Sequence, residues 1–259
     1  MTDDRPPRSS LHAEVDGAGP RLVLVHGFTQ TAACWGPVAT DLATDHEVCR
    51  IDAPGHGRSA TVAADLWDGA RLIADRGGRA TYVGYSMGGR FALHVALARP
   101  ELVAGLVLVG ATAGIVDADA RAERAHADEA RAARLERDGL EAFLDAWLAQ
   151  PLFAGLDDAT QFRAERAVNT VAGLATSLRL AGTGRQEPLD ERLGHLAMPV
   201  LAVAGERDTR FTAEAERIAA AVGANAEVAV VADAGHAAHL ERPAAFLAAL
   251  RPWLARHHL

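Results

Sequence analysis

The run TYVGYSMGGRFALHVALA, residues 81–98, places a serine between a β-branched segment and a segment with helical periodicity. Its centre, GYSMG at 84–88, puts glycines on both sides of Ser86, where side chains would meet neighbouring backbone in a sharp turn. A strand-to-helix turn of this kind exposes a hydroxyl at the carboxyl end of a sheet. The run therefore predicts an α/β fold with a nucleophile at a sheet edge. A glycine-rich turn that merely needs small residues is the alternative.

Short apolar runs recur along the chain, and each ends in a glycine or a turn. They cover residues 21–27, 47–55, 102–111, 198–208 and 226–236. Helical patterns lie between most of these runs. This alternation is typical of a mostly parallel sheet with helices on both faces.

The alternation stops between residues 114 and 196, where the pattern is helical and predicts no strand. We interpret 114–196 as a helical cap over one α/β core, which is formed by 11–113 and 197–259. Residues 1–10 are polar and contain prolines, and they lack the apolar stretch of a secretory signal. We expect them to be a disordered lead-in.

The composition excludes several classes of protein. Of the 259 residues, 49% are hydrophobic, which is enough for a full α/β core. No apolar run reaches the length of a transmembrane helix, and only Cys34 and Cys49 occur. We therefore expect a cytoplasmic protein without a disulfide framework, a cysteine metal site or a membrane partner. The net charge of −8, without a basic block, argues against binding to nucleic acid.

A serine hydroxyl needs an imidazole to take its proton and a carboxylate to orient that imidazole. Asp208 and His236 each follow a predicted strand, so both are expected at the sheet edge that carries Ser86. The chain order serine, aspartate, histidine is the one expected for this architecture. Glu206 and His239 are the alternatives. We prefer Asp208 because Glu206 lies closer to its strand end, and we prefer His236 because His239 is expected to start or pack against the final helix.

Two backbone N–H groups are expected to face a developing negative charge near Ser86. One belongs to Met87 at the start of the following helix, and the other belongs to Phe28 in the loop after the first clear strand. His26 and His56 lie in glycine-containing loops. We interpret both as loop-packing residues rather than as an acid or a base.

Arg90 lies four residues after Ser86, one turn into the helix and on nearly the same face. A guanidinium at this position can bind a substrate carboxylate beside the reacting centre. A neutral ester carries no such carboxylate. The alternative is an arginine in a solvated salt bridge. Trp147 and Phe153 are expected to wall the pocket, with packing inside the cap or the core as the alternative.

The motifs VHGFTQTAACW, DAPGHGRS, VGYSMGGR, AGERDTRF and AGHAAHLERP occur in this order. With them, the chain resembles the α/β-hydrolase superfamily over nearly its whole length. The resemblance implies a mostly parallel central sheet with a helical cap inserted after the sixth strand. Within the superfamily, the chain is similar to the 2-succinyl-6-hydroxy-2,4-cyclohexadiene-1-carboxylate synthases of menaquinone biosynthesis. The segments that carry this similarity are GYSMGGR, AWLAQPLFAGL, and GERDTRF together with GHAAHLERP.

That resemblance implies a lyase that eliminates pyruvate from 5-enolpyruvoyl-6-hydroxy-2-succinylcyclohex-3-ene-1-carboxylate, with serine as base and with neither cofactor nor metal. It implies that this small anionic substrate is held by Tyr85, Arg90, Arg124, Trp147 and Arg166. We expect a monomer or a small homo-oligomer. A carboxylester or related acyl hydrolase that uses the same triad is the alternative function, and a non-catalytic ligand-binding module is a third.

Overall fold

A computed structural model describes residues 10–259 of the chain, and its centre is a seven-stranded sheet. The strands are β1 (Ala13–Asp16), β2 (Arg21–Val25), β3 (Glu47–Ile51), β4 (Ala80–Tyr85), β5 (Val103–Val109), β6 (Val200–Gly205) and β7 (Ala226–Val231). Their order in the sheet is β1-β3-β2-β4-β5-β6-β7, and only β1 runs antiparallel to its neighbour. Residues 1–9 of the predicted lead-in lie outside the described residues.

Helices surround the sheet on both faces. In the described part of the chain they are α1 (Gly36–Leu42), α2 (Leu66–Gly77), α3 (Met87–Ala98), α4 (Ala118–Asp138), α5 (Leu140–Leu148), α6 (Arg163–Ala167), α7 (Val171–Ala181), α8 (Asp190–Leu193), α9 (Thr209–Val222), α10 (Ala238–Glu241) and α11 (Pro243–Arg256). None of these helices combines the length and the apolar character needed to cross a bilayer.

The central strands are buried on both faces, as continuous apolar runs of a parallel sheet predict. In β2, Leu22 and Leu24 pack with α1 and α11, whereas Val23 and Val25 pack with Phe91 of α3 on the other face. All five side chains are fully buried. The sheet is thus the shared wall of two hydrophobic layers, and this rigid wall holds the loops at its carboxyl edge.

Helices α4 to α8, within residues 118–193, form a layer that we call the cap. The cap contains no strand and has a small core of its own, in which Leu135, Phe143 and Leu174 pack together. One prediction is wrong in detail, because the cap follows β5 rather than a sixth strand. Among residues 10–259 only the short strand β1 precedes β2, so one strand fewer than expected is present before the cap.

Candidate active site

Ser86 occupies the turn between β4 and α3. Its backbone angles are φ 51° and ψ −108°, a positive-φ conformation that residues other than glycine seldom adopt. Its N–H donates to the carbonyl of Val109 at 2.8 Å, which ties the turn to β5. A Cβ on Gly84 would overlap the backbone of Gly88, and a Cβ on Gly88 would overlap the carbonyl of Val25. The prediction that close backbone approach requires both glycines is confirmed.

The structure brings Ser86, Asp208 and His236 together at the carboxyl edge of the sheet. His236 Nδ1 lies 2.8 Å from Asp208 Oδ2, and His236 Nε2 lies 3.2 Å from Ser86 Oγ. Because a carboxylate only accepts, Nδ1 carries the proton, and Nε2 is left to accept from the serine hydroxyl. The other oxygen of Asp208 accepts the N–H of Phe211 at 3.2 Å, which fixes the carboxylate at the start of α9.

The two residues that were considered as alternatives for the triad, Glu206 and His239, make other contacts. Glu206 Oε2 accepts the N–H of Asp233 at 3.0 Å and is exposed, so it does not orient His236. His239 is buried, with its ring 4.6 Å from the ring of Trp35 and 4.5 Å from that of Tyr85. Burial lowers the pKa of His239 to about 3, so it is neutral at physiological pH. It therefore packs beside the site rather than facing Ser86.

His26 and His56 hold two loops in place. The N–H of Ala53 donates to His26 Nε2 at 3.0 Å, and the N–H of Thr29 donates to His56 Nε2 at 3.3 Å. The Nδ1 atoms lie 2.8 Å from the carbonyl of Gly27 and 2.9 Å from a carbonyl of the second loop. Burial lowers the pKa of His26 to about 4 and that of His56 to about 3. Both rings are neutral loop-packing groups, as predicted from the sequence.

Phe28 and Met87 line the same cavity as Ser86. Within residues 10–259 neither backbone N–H donates to a protein acceptor, so both are free to bind a ligand oxygen. A residue of the cap forms hydrogen bonds to the loop that carries Phe28. Arg166 Nη1 donates to the carbonyl of Phe28 at 3.4 Å and to the hydroxyl of Thr29, a residue at φ 67°.

The cavity lies between the sheet edge and the cap and is open to solvent. A cleft that is lined by apolar and charged side chains beside a reactive hydroxyl is typical of a small-molecule site. Five arginines line it: Arg90, Arg124, Arg131, Arg166 and Arg210. Against them, Asp128 is the one carboxylate among the described lining residues. The cavity is therefore cationic, although the whole chain is acidic.

Arg90 is 6% exposed, and its Nη1 donates to the carbonyl of Ala181 at 2.7 Å. No carboxylate in the described part of the chain forms an ion pair with it, so the alternative of a solvated salt bridge is wrong. Burial, and then the nearby charge of Arg124, lower the pKa of Arg90 to about 10. The guanidinium is still charged at neutral pH and lines the cavity; Asp128 is near enough to oppose part of this shift, but within residues 10–259 no carboxylate lies at ion-pair distance from Arg90.

Arg124 and Arg131 form a second cationic group at the cavity. Asp128, which is 2% exposed, accepts Arg124 Nε at 2.8 Å and Arg131 Nη1 at 3.0 Å on one oxygen. Its other oxygen accepts the N–H of Gly184 at 3.1 Å. Sequence reasoning named Arg124 but missed Arg131. The available signal was the spacing of 124, 128 and 131, which share one face of α4.

The remaining predicted substrate residues also line the cavity, but their contacts differ. Arg166 is buried and donates to protein oxygens, including the carbonyl of Gln161 at 2.7 Å, so it holds the Phe28 loop. The ring of Trp147 lies 5.2 Å from that of Phe28 and 5.5 Å from that of Phe153. Tyr85 packs against His236, and burial raises the pKa of its hydroxyl. Trp147, Phe153 and Tyr85 thus form an apolar wall beside the arginines.

This sheet, the Ser86 turn and the ordered triad are the features of one large class of enzymes. The model of the alpha/beta hydrolase family matches residues 22–250, and the chain belongs to that family.

Within the family, the chain is similar to the 2-succinyl-6-hydroxy-2,4-cyclohexadiene-1-carboxylate synthases. It is 34% identical to the enzyme of Escherichia coli O1:K1 / APEC over 93% of this chain and 97% of that one. Identity to the enzyme of Enterobacter sp. (strain 638) is 35%, over 89% of this chain and 90% of the relative. The solved structure of MenH from S. aureus superposes with a TM-score of 0.88 at 28% identity, covering 96% of this chain and 99% of that one.

Proposed function

We propose that this enzyme eliminates pyruvate from 5-enolpyruvoyl-6-hydroxy-2-succinylcyclohex-3-ene-1-carboxylate to give 2-succinyl-6-hydroxy-2,4-cyclohexadiene-1-carboxylate. The observation that carries the proposal is Arg90, a buried guanidinium one helical turn behind Ser86 that makes no ion pair with a carboxylate of residues 10–259. An unmatched buried charge is costly, and a substrate carboxylate would offset that cost. The similarity to synthases of this name supports the same reading.

The cavity offers separate places for separate carboxylates. Arg90 lies beside the reacting hydroxyl, and the pair Arg124 and Arg131 lies in the cap. A ring that carries a carboxylate, a succinyl group and an enolpyruvyl group needs such spaced cations. Trp147 and Phe153 would cover the apolar faces of the ring and exclude water.

The triad geometry supports an elimination in which serine acts as a base. His236 Nε2 takes the hydroxyl proton of Ser86, and the resulting alkoxide removes the ring proton beside the succinyl ketone. The enolate oxygen is then bound by the N–H groups of Phe28 and Met87, which stabilise charge on one oxygen. Collapse of the enolate shifts the ring double bonds and breaks the carbon–oxygen bond to the enolpyruvyl group. The leaving enolate takes up a proton from water on its methylene carbon and is released as pyruvate, and His236 gives its proton to the solvent, which restores the triad.

The alternative is an acyl hydrolase in which Ser86 attacks a carbonyl and forms an acyl-enzyme, since the same triad and N–H groups suit that reaction. Purified enzyme should be given the enolpyruvyl cyclohexene substrate while pyruvate is measured, with p-nitrophenyl esters in parallel. The lyase predicts pyruvate release and no adduct on Ser86 by mass spectrometry. Ester turnover through an acyl-serine, with no pyruvate released, would establish the hydrolase instead.

We extend the proposal to a cytoplasmic location. It is supported by Cys34 and Cys49, which are both buried and both free, as is usual where thiols are kept reduced.

A further inference from the structure

One buried carboxylate binds the backbone on both sides of His236. Glu241, the last residue of α10, is 8% exposed. Its Oε2 accepts the N–H of Gly235 at 2.7 Å, and its Oε1 accepts the N–H of Ala237 at 3.1 Å. The backbone N–H groups of the residues before and after His236 are therefore both bound by a single side chain.

The bonding pattern requires a carboxylate at position 241. Both partners are donors, and a carboxylate accepts on both oxygens, whereas a glutamine amide would turn its NH2 group toward one of the two N–H groups. No cationic side chain among the described residues pairs with the Glu241 carboxylate, and Arg242 donates only to its backbone carbonyl. The charge is held by the two backbone dipoles beside His236.

The same carboxylate also touches the cap. A Cβ on Gly155 would overlap Glu241 Oε2, so the turn at residues 151–155 packs directly against it. Leu152 and Phe153 of that turn line the substrate cavity. Glu241 thus lies between the loop that carries His236 and the part of the cap that covers it.

We propose that Glu241 is a positioning residue that fixes the loop 235–237 and so keeps His236 Nε2 in hydrogen-bond reach of Ser86 Oγ. The inference rests on the proposed function only in taking Ser86 and His236 as the reactive pair. A misplacement of a catalytic group by about 1 Å can cost about 100-fold in rate, so the loss of one flanking bond is expected to be measurable.

The test compares Glu241→Gln and Gly155→Ala with the wild-type enzyme. Gly155→Ala removes no polar group, but its methyl must displace the carboxylate end of a flexible side chain. Glu206→Gln is the matched control, because Glu206 also accepts a backbone N–H, that of Asp233, away from His236. Three quantities are measured: the rate at which a fluorophosphonate labels Ser86, kcat and KM for pyruvate release, and the melting temperature.

We expect Glu241→Gln to slow labelling of Ser86 and to lower kcat by about tenfold or more, with KM changed less than about twofold. Gly155→Ala should slow labelling in the same direction, and Glu206→Gln should match the wild type. Wild-type labelling rates in folded Glu241→Gln would overturn the proposal. If Glu241→Gln does not fold, the rate at which Ser86 is labelled in Gly155→Ala tests the proposal instead. A wild-type labelling rate in Gly155→Ala would then overturn the proposal.

The labelling rate also separates this inference from the proposed function. Wild-type enzyme that is labelled at Ser86 but releases no pyruvate would contradict the lyase, and a slow Glu241→Gln would still support the positioning role. Normal labelling in Glu241→Gln, with pyruvate release intact, would refute the positioning role alone.

Discussion

Arg90 buries a positive charge whose one hydrogen bond within the described chain is donated to the carbonyl of Ala181. Burial of such a charge lowers the free energy of unfolding unless a ligand anion pairs with it. By contrast, Arg124 and Arg131 share the carboxylate of Asp128 and are already half satisfied. We therefore expect Arg90 to contribute more to substrate binding than either arginine of the cap.

Arg90→Met should raise KM for the anionic substrate by about 10- to 100-fold, because a charge-assisted hydrogen bond contributes roughly 1.5–3 kcal/mol. Hydrolysis of a neutral ester should change by less than about twofold. The free energy of unfolding should stay within about 1 kcal/mol of wild type, since an unpaired buried charge is removed. Steady-state kinetics and urea titration measure these effects, with exposed Arg71→Met as control. Equal losses on both substrates would assign Arg90 a structural role.

At the scale of the structural elements, a few polar contacts join the cap to the loop that carries Phe28. Asn169, between α6 and α7, donates to the carbonyl of Thr29 at 2.7 Å and accepts the N–H of Gly57 at 2.8 Å. Its side chain is 5% exposed. These bonds, with those of Arg166, fix the loop that presents the N–H of Phe28, so the cap contributes to the geometry of the oxyanion site.

Asn169→Ala should lower the free energy of unfolding by about 1–3 kcal/mol, because the buried carbonyl of Thr29 and the half-buried N–H of Gly57 lose their bonds to this side chain. It should also lower kcat, since the loop of Phe28 loses a support. Denaturant titration and kinetics give both values. Asn225→Ala is the control, because the exposed side chain of Asn225 also donates to a backbone carbonyl, that of Leu196, but lies away from the cap. A stable Asn169→Ala with wild-type kcat would show that the cap does not hold the loop.

The sequence predicted those parts of the site that lie directly after strands. Ser86, Asp208 and His236 each follow a buried apolar run, and the ends of parallel strands meet at one edge. Strand β1 was missed because it is four residues long and mostly exposed, so it lacks an apolar run. Arg131 was missed because α4 repeats alanine, arginine and acidic residues, and only packing decides which of its faces meets the cavity.

Glu241 and the contacts of Arg166 were also beyond sequence reasoning, for a related reason. Each acts through backbone groups that local patterns do not identify, on loops whose paths depend on the whole fold. Sequence spacing located the groups that carry charge or nucleophilic character, and tertiary packing determined which of them face the cavity and which support it.

At the scale of the whole molecule, four buried histidines couple the stability of the fold to pH. Burial lowers the pKa values of His26 and His94 to about 4 and those of His56 and His239 to about 3, against 6.5 as the usual value. Below pH 6.5 the unfolded chain binds protons at these rings and the folded chain does not. The stability that they contribute is complete above this pH and is lost as the pH falls toward 3.

His239→Phe should reduce this acid sensitivity. The ring lies among aromatic side chains and its Nδ1 has no partner within the described chain, so an apolar ring is tolerated there. Between pH 7 and about pH 4.5, the variant should lose about 2 kcal/mol less unfolding free energy than the wild type. Urea titrations at both pH values measure the difference. Equal losses in both proteins would mean that His239 is already protonated in the folded state.

The central claim is that Ser86, activated by His236, removes the ring proton. The most direct measurement is the rate of pyruvate release at saturating substrate by Ser86→Ala against wild type. We predict a loss of about a thousandfold or more with the fold unchanged by circular dichroism, the residual rate coming from binding and the two N–H groups. Pyruvate release by folded Ser86→Ala at the wild-type rate would contradict the account.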